Sequence, residues 1–221
     1  MSNQGYEIKP VGQEDVDDVL NFIRRTFYLD EPLNQAVALC VDGICTELDD
    51  YCASGLRAGV SFKAVDKEGN VVGTLLNEIC SMEEAAGNGQ YYISKAEQCK
   101  NPKFQRILYL LAQREEEAKI FERFPHEENY LDVKIAATDP NWRKKGIMNE
   151  LLNVTEKLCL QRGVKLLRLD CSSAYSAMAA ERLGFTCISS IPYLNIKMDG
   201  RPIIVPEAPH VDDKVYVKLI S

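Results

Sequence analysis

The length and charge of the chain exclude several classes of protein. Its 221 residues can bury a sizeable core, in one large domain or two small ones. Its formal net charge of −7 argues against a nucleic-acid binder, which usually carries a broad basic face, and suits a small cationic substrate. No apolar run reaches the roughly 18 residues that span a bilayer, and the first residues, "MSNQGYEIKP", have no apolar signal-peptide core. We therefore expect a cytoplasmic protein with no membrane or nucleic-acid partner.

Eight cysteines raise the question of disulfides or a metal. No two of them have C-x-x-C spacing, and the only histidines, His126 and His210, lie far in sequence from any close pair of cysteines. Without a secretory signal, this pattern predicts reduced thiols that pack as small hydrophobes, and no metal site. The cysteines are Cys40, Cys45, Cys52, Cys80, Cys99, Cys159, Cys171 and Cys187.

The first half of the chain predicts a strand, three helices and a hairpin. "YEIKPV" is typical of a strand, and "GQEDVDDVLNFIRRTFY" of a helix that Pro32 stops. "LNQAVALC" and "CTELDDYCASGL" predict two shorter helices. "SFKAVD", "KEGN" and "VVGTLLNEIC" predict a strand, a turn and a strand. The buried stripe of the first helix is expected to contain Val16, Val19, Leu20, Ile23 and Phe27.

The second half alternates between helices and strands after a polar stretch, 81–99, that predicts irregular structure. "NPKFQRILYLLAQREEEAKIF", "NELLNVTEKLCLQRG" and "SAYSAMAAERLGF" predict helices, the last two ending at Gly163 and Gly184. "NYLDVKIAAT", "VKLLRLDC", "TCISSIPYL" and "DKVYVKLI" predict strands. No repeat or linker interrupts the pattern, so we expect one mixed α/β domain over residues 1–221.

The stretch "DPNWRKKGIMNELL", 139–152, combines three cations with a glycine between a predicted strand and a predicted helix. The first N–H groups of a helix lack internal partners and carry partial positive charge, so such a turn favours an anion. Gly146 lets the main chain approach a phosphate closely, and Arg143 and Lys145 can add charged hydrogen bonds. The P-loop and dinucleotide-binding glycine patterns are both absent. A solvated basic cluster that merely closes the connection is the alternative.

The same region, "VKIAATDPNWRKKGIMNELL", resembles the acetyl-CoA motif of the GCN5-related N-acetyltransferases, written Q/R-x-x-G-x-G/A between a strand and a helix. Arg143, Gly146 and Met148 fill the pattern, with Met148 in place of the usual small residue. The resemblance implies that the anion is the pyrophosphate of CoA and that the preceding strand pairs with the pantetheine arm. The implied cofactor residues are Ile135, Ala136, Ala137, Arg143, Lys144, Lys145, Gly146, Ile147 and Met148.

Two further stretches resemble one branch of that superfamily. "FYLDEPLN", 27–34, and "CSSAYS", 171–176, are similar to segments of the insect arylalkylamine N-acetyltransferases, and "SAMAAERLGF" matches the superfamily's helix ending in L-G-F. The resemblance covers nearly the whole chain. It implies a mixed, twisted central sheet flanked by helices, whose splayed strands admit acetyl-CoA. It also implies acetyl transfer to the primary amine of dopamine, serotonin, tyramine, octopamine or tryptamine, without a metal.

N-acetylation needs a base, because a primary alkylamine is mostly protonated at neutral pH. Glu31 follows a helix that Pro32 terminates, which places it at a helix end, and the resemblance implies that it is the general base. The alternative is a surface carboxylate beside Asp30. We also assign Glu31, Pro32 and His210 to the amine site, because His210 precedes the last strand and can reach an acyl-transfer centre.

The segment after the strand "VKLLRLDC" is the second source of candidate catalytic residues. The resemblance implies supporting catalytic roles for Ser172 and Ser176, and protonation of the departing thiolate by Tyr175. Serines at a helix start are more often N-caps, so Ser172 or Ser173 can simply cap the next helix, and Tyr175 can belong to the core. Nothing basic adjoins Cys171 in sequence, which gives no support to a reactive thiolate.

Two alternatives to arylalkylamine acetylation stay open at this stage. The first is acetylation of agmatine or a polyamine, since the loops that choose the amine are the least predictable part of the chain. The second is a CoA-binding interaction module without activity. Retention of both Glu31 and the basic turn argues against the second.

Overall fold

The computed structural model describes residues 5–220, and in that range the chain alternates strands and helices as expected for an α/β fold. The strands are β1 Tyr6–Pro10, β2 Phe62–Asp66, β3 Val71–Ser81, β4 Asn129–Thr138, β5 Leu166–Cys171, β6 Thr186–Pro192, β7 Lys197–Met198, β8 Arg201–Pro202 and β9 Asp212–Leu219. The α-helices are α1 Val16–Arg25, α2 Phe27–Asp30, α3 Pro32–Ala36, α4 Thr46–Arg57, α5 Met82–Ala86, α6 Asn88–Gln98, α7 Pro102–Ala118, α8 Ile120–Arg123, α9 Ile147–Arg162 and α10 Ala174–Arg182.

Seven strands form one mixed sheet in the order β1-β2-β3-β4-β5-β9-β6. All neighbours run antiparallel except β4 and β5, which run parallel. The β4–β5 ladder is short, because it joins 131–133 of β4 to 167–169 of β5, whereas β4 continues beside β3 as far as Thr138. The sheet therefore opens between β4 and β5, as the resemblance implied.

Two layers of apolar side chains cover the two faces of this sheet. One layer contains the buried sides of α1, α3, α4, α6 and α7 together with Ile135 and Ala137 of β4. The other contains the buried sides of α9 and α10 together with Leu131 and Val133. The predicted sheet flanked by helices is thus confirmed, and both layers reach the place where the sheet opens.

The predicted first helix is divided at Thr26, and this break places Glu31. Thr26 leaves the helical conformation at φ −124° and ψ −84°, while its hydroxyl donates to the Phe22 carbonyl at 2.7 Å. The chain restarts as α2 and again as α3, with Glu31 between them in extended conformation. The helix predicted for "LNQAVALC" is correct only for Pro32–Ala36.

Two other sequence predictions are wrong. The stretch 81–99 is not irregular, because it contains α5 and α6; α6 buries Tyr92 and Ala96 in the core against α7. Those two apolar anchors are too few to give a clear helical period in the sequence. The helix predicted to run on from α7 stops at Ala118, because Lys119 takes a left-handed conformation at φ 43°. The short hairpin β7–β8 carried no pattern that we recognised.

Candidate active site

The open edge of β4 is the first element of the site. Residues 135–137 pair with β3 on one side, and a register shift opposite Leu76 and Asn77 leaves Lys134 as an extra residue in β4. This bulge bends the strand away from β5 and frees one edge of its main chain. The side chains of Ile135 and Ala137 are buried in the core, whereas Ala136 is exposed. The main chain of this segment, rather than its side chains, is what a ligand meets.

The turn after β4 has the conformation of an anion site. A 3-10 turn, Pro140–Trp142, leads into Lys144 at φ 64° and Gly146 at φ 84°, and α9 begins at Ile147. The N–H groups of the first turn of a helix lack intrahelical partners, and the helix dipole adds positive potential there. A Cβ at residue 146 would have the Tyr6 hydroxyl oxygen at 3.8 Å as its nearest neighbour. The left-handed backbone, rather than lack of space, therefore requires glycine.

The side chains of the turn hold it in place. Arg143 is about half exposed and pairs with Asp30 of α2 at 2.5 Å, and Lys145 lies over the Trp142 ring with Nζ 4.2 Å from its centroid. Lys144 is exposed. Ile147 is 1% exposed, and the half-buried Met148 packs against the same apolar cluster.

Glu31, which follows the Asp30 that pairs with Arg143 of the turn, is buried. Its side chain caps α3, because Oε2 accepts a hydrogen bond from the Asn34 N–H at 2.7 Å, and Pro32 occupies the first helical position. At 9% exposure it is not the surface carboxylate of the alternative interpretation. Burial raises its pKa, while the Ser172 hydroxyl, main-chain N–H groups and the Arg114 guanidinium act in the opposite direction. A carboxylate whose pKa is raised in this way is a stronger base than an exposed one.

The three serines after β5 divide their roles. Ser173 is the N-cap of α10, because its hydroxyl accepts from the Ser176 N–H at 2.9 Å. The Ser176 hydroxyl in turn donates to the Ser173 carbonyl at 2.9 Å and accepts from the Ser173 hydroxyl at 3.0 Å. Ser172 is not the cap and contacts Glu31 instead. The structure thus brings Ser172 to Glu31 and holds Ser176 within the first turn of α10.

Tyr175 and His210 form a second pair at the start of α10. Tyr175 is 66% exposed, which excludes the core alternative, and its ring meets His210 edge-on with centroids 5.5 Å apart. His210 Nδ1 accepts the Ala174 N–H at 3.1 Å, so its remaining ring nitrogen is the one available to a ligand. Cys171, before the serines, is buried, and burial raises the pKa of its thiol to about 12. A thiolate at this position is therefore disfavoured at neutral pH.

A layer of buried polar residues behind the site was missed in the sequence. Tyr193, in a 3-10 turn after β6, donates its hydroxyl to the Ser172 carbonyl at 2.7 Å and lies 3.5 Å from Asp213. Arg114 of α7 donates to both carboxylate oxygens of Asp213, at 2.7 and 2.6 Å, and to Asp170 at 3.1 Å. Charged residues within the predicted strand "VKLLRLDC" and on the buried side of α7 were the signal, since an unpaired charge does not survive burial.

This layer extends across the face of the sheet that carries α3 and α7. Lys134 of the bulge contacts Asp132 at 2.8 Å and Glu78 at 3.4 Å, and Asp132 Oδ1 is buried without a hydrogen-bond partner among the described residues. Carboxylates outnumber cations among the buried and largely buried side chains of this layer, five to three, while Glu78 is about half exposed. The members of the set are Glu31, Glu115, Asp132, Asp170, Asp213, Arg114, Lys134 and Arg168.

The described residues contain no candidate metal cluster: no group of three or more histidine, cysteine or acidic side chains among them is arranged to hold a metal ion. None of the helices in the same part of the chain has the length and hydropathy to cross a membrane.

Solved structures of N-acetyltransferases are similar to this fold over nearly its whole length. Arylalkylamine N-acetyltransferase 2 of Aedes aegypti matches with a TM-score of 0.87 and 27% identity, covering 100% of both chains. An agmatine N-acetyltransferase matches at 0.86 and 22%, covering 97% of this chain and 99% of its own. The polyamine N-acetyltransferase of Drosophila melanogaster, which forms N-acetylagmatine, matches at 0.84 and 22%, with the same coverage. No family model matches the chain. The fold, its match to the Aedes enzyme and the open sheet together place the chain in the GCN5-related N-acetyltransferase superfamily, and its structure is similar to those of insect arylalkylamine N-acetyltransferases.

Proposed function

We propose that the protein transfers an acetyl group from acetyl-CoA to the primary amine of a small arylalkylamine, by direct attack in a ternary complex. The proposed amine substrates are dopamine, serotonin, tyramine, octopamine and tryptamine. The observation that carries this proposal is the buried Glu31 beside the half-buried Ser172, which follows β5 where the sheet opens. The solved structures similar to the chain are N-acetyltransferases, which supports acetyl transfer as the reaction.

Acetyl-CoA fits the residues on the cofactor side of the opening. Its pyrophosphate would meet the main-chain N–H groups of 146–148 and the side chains of Arg143, Lys144 and Lys145. Its pantetheine arm is an amide chain, and the one-sided main chain of 135–137 offers the donors and acceptors of an unpaired strand edge. The thioester would then lie on the Lys134 side of 135–137, where β4 and β5 part, toward Glu31 and Ser172.

Glu31 accepts the proton that the amine must lose. The deprotonated carboxylate is the active form, so the rate rises with pH through its pKa and levels off above it. Burial raises the pKa of Glu31 above the usual range for a glutamate, which increases the proton affinity of the carboxylate and makes it a stronger base. Ser172 holds the carboxylate, and Pro32 fixes the turn that presents it.

Ser176, Tyr175 and His210 line the start of α10, where the thiolate leaves. Tyr175 is exposed and carries an O–H that can protonate the departing sulfur, with His210 supporting its ring. Ser176 keeps the first turn of α10 in place. In this proposal no metal takes part, because the carboxylate, hydroxyl and main-chain groups supply the proton transfers and the anion contacts.

The excess of buried carboxylates supports a second candidate, acetylation of agmatine or a polyamine. Such amines keep a positive charge remote from the reacting nitrogen, and that charge would be stabilised near Asp132 and Glu78. Two of the similar structures are an agmatine and a polyamine N-acetyltransferase.

A single assay separates the candidates. Acetyl-CoA consumption is followed with a matched panel of dopamine, tyramine, tryptamine, agmatine and spermidine, and kcat/KM is compared. We expect the highest kcat/KM with an aromatic amine. A preference for agmatine or spermidine would support the second candidate and contradict the first. Tight acetyl-CoA binding without turnover of any amine would identify an inactive CoA-binding module.

A further inference from the structure

We infer that Tyr193, backed by the buried Asp213–Arg114 ion pair, is a positioning residue that holds Ser172 against Glu31. The inference rests on the proposed function, in which Glu31 is the base. It assigns a role to three residues from the turn after β6, from β9 and from α7, which lie outside the short motifs that carry the resemblance.

A hydrogen bond links Tyr193 to the main chain of Ser172. Tyr193 donates to the main-chain carbonyl of Ser172 at 2.7 Å, and the Ser172 hydroxyl lies close enough to Glu31 to lower the pKa of its carboxyl group. Residue 172 lies between the end of β5 and the cap of α10, so neither element fixes its main chain. The Tyr193 bond supplies that restraint.

Tyr193 is itself held in place by its surroundings. Its ring is 1% exposed, and its main-chain N–H donates to the Val211 carbonyl at 3.0 Å. Its oxygen lies 3.5 Å from Asp213, whose two carboxylate oxygens are both engaged by Arg114. A buried, bidentate arginine–carboxylate pair has a rigid geometry. The phenol is therefore fixed at both ends, which is what positioning Ser172 requires.

Charged and titratable groups from α7 and from the turn after β6 act on Glu31. Arg114 on α7 and Tyr193 after β6 interact with its carboxylate, and Arg114 also holds Asp213 on β9 and Asp170 on β5. Burial and the neighbouring Asp213 raise the pKa of Tyr193, with a further contribution from Glu31, so the phenol stays protonated and remains a donor. The Ser172 hydroxyl bond lowers the pKa of Glu31, so weakening it shifts the base limb of the pH profile upward.

The experiment is Tyr193→Phe, which removes one oxygen and leaves the ring. We expect kcat to fall by roughly tenfold, the rate equivalent of one hydrogen bond, with the acetyl-CoA dissociation constant unchanged. The base limb of kcat against pH should move to higher pH. Tyr216→Phe is the matched control, because Tyr216 is equally buried but donates to Glu181 at 2.7 Å, and it should leave the limb in place.

A double-mutant cycle identifies the route. If Tyr193 acts through Ser172, Ser172→Ala should shift the limb in the same direction, and adding Tyr193→Phe should shift it no further. Additive shifts, or a Tyr193→Phe variant that is merely less stable with its limb unmoved, would overturn the inference.

Two further results keep the test decisive. p-Aminophenylalanine at position 193 keeps a weaker N–H donor and should shift the limb by a smaller amount, so an unmoved limb in this variant contradicts the inference even where Tyr193→Phe does not fold. Glu31→Gln separates the two proposals. If the base limb of kcat against pH persists in Glu31→Gln, Glu31 is not the base. If the limb disappears in Glu31→Gln but stays at the wild-type pH in the position-193 variants, only the role of Tyr193 fails.

Discussion

The proposed cofactor end and the proposed amine end of the site are built in opposite ways. The proposed cofactor end is exposed and basic, and the groups that it offers to a ligand are main-chain N–H groups beside a left-handed glycine. The amine end is buried and acidic, and its central group is a carboxylate surrounded by side chains from α7, β9 and the turn after β6. The first can be specified by one short stretch of sequence. The second needs residues that are more than 100 positions apart.

This difference predicts how each end responds to mutation. Changes at the turn should alter affinity for acetyl-CoA and leave the chemical step alone. Changes around Glu31 should alter turnover and its pH dependence.

Glu31→Gln is expected to have the largest effect. The amide is nearly isosteric and can still accept the Asn34 N–H, but it cannot take a proton from the amine. We expect kcat to fall by roughly 10²–10⁴, the usual contribution of a positioned base, with acetyl-CoA affinity unchanged. A higher KM for the amine at constant kcat would instead assign Glu31 to ammonium binding. Calorimetry of acetyl-CoA binding is the control for folding.

The raised pKa of Glu31 also has a sign for stability. A carboxyl group with a raised folded-state pKa ionises first in the unfolded chain, so stability is lost as pH rises through the folded-state value. We therefore expect Glu31→Gln to melt at a higher temperature than the wild type at about pH 8. The difference should vanish as pH falls below about 4.3, the unfolded value. A lower melting temperature at about pH 8 would mean that the charged carboxylate stabilises the fold.

Gly146→Ala tests the turn, with Gly163→Ala as its matched control. The two glycines lie at opposite ends of α9, at φ 84° and 70°, so an alanine costs about 1–2 kcal/mol of backbone strain at either. Both variants should lose similar stability. Only Gly146→Ala should weaken acetyl-CoA binding, by roughly tenfold, since the strain displaces the N–H groups of the turn. Equal affinities in the two variants would show that the turn does not hold the cofactor.

Arg143 and Asp30 are expected to have smaller and opposite effects. Arg143→Ala removes a cation beside the proposed pyrophosphate, and because the side chain is half exposed we expect a loss of roughly threefold to tenfold in acetyl-CoA affinity. Asp30→Asn releases Arg143 from its ion pair and should tighten binding by no more than about 1 kcal/mol. Both effects should shrink at high salt. Weaker binding in Asp30→Asn would show that the ion pair orders the turn.

The cysteines should affect neither end. Burial raises the pKa of the Cys45 and Cys159 thiols to about 11 and that of the Cys52, Cys80 and Cys171 thiols to about 12. Native protein at neutral pH should therefore be alkylated first at Cys187, which is exposed, with no loss of activity. Mass spectrometry after denaturation should count eight free thiols and no zinc. Early alkylation of Cys171 with loss of turnover would mean that the amine end opens in solution.

Local patterns in the sequence predicted most of the fold. Strands β2 to β5 and helices α4, α9 and α10 lie where alternation, helical periodicity and terminal glycines indicated them. The helices α5 and α6 were not predicted, because they form on contact with α7 and bury few apolar groups. The break in the first helix at Thr26 was not predicted either. The Thr26 side chain bonds to the previous turn and competes with the helix, and helix propensity does not include this effect.

The site divides in the same way. The basic turn and the segments around Glu31 and Ser172 are local and were found in the sequence, as was the position of His210. Tyr193, Asp213 and Arg114 were not, because each has an ordinary local context and acquires its partner only when α7 and β9 meet. Whether Ser172 or Ser173 capped α10 was likewise undecidable from two adjacent serines. Side-chain direction at the strand end, a tertiary property, decides it.

The short β4–β5 ladder has one more consequence, for the protein before it meets its cofactor. A sheet normally has two edges, but this one presents a third in its interior, where 135–138 of β4 pair with β3 only. Free edges recruit other extended chains, and so promote aggregation unless they are covered. A pantetheine arm would cover this one as an added strand does. We expect amide hydrogens of 135–137 to exchange with deuterium faster in the cofactor-free protein than with CoA bound, and the cofactor-free protein to be the form that aggregates first on storage.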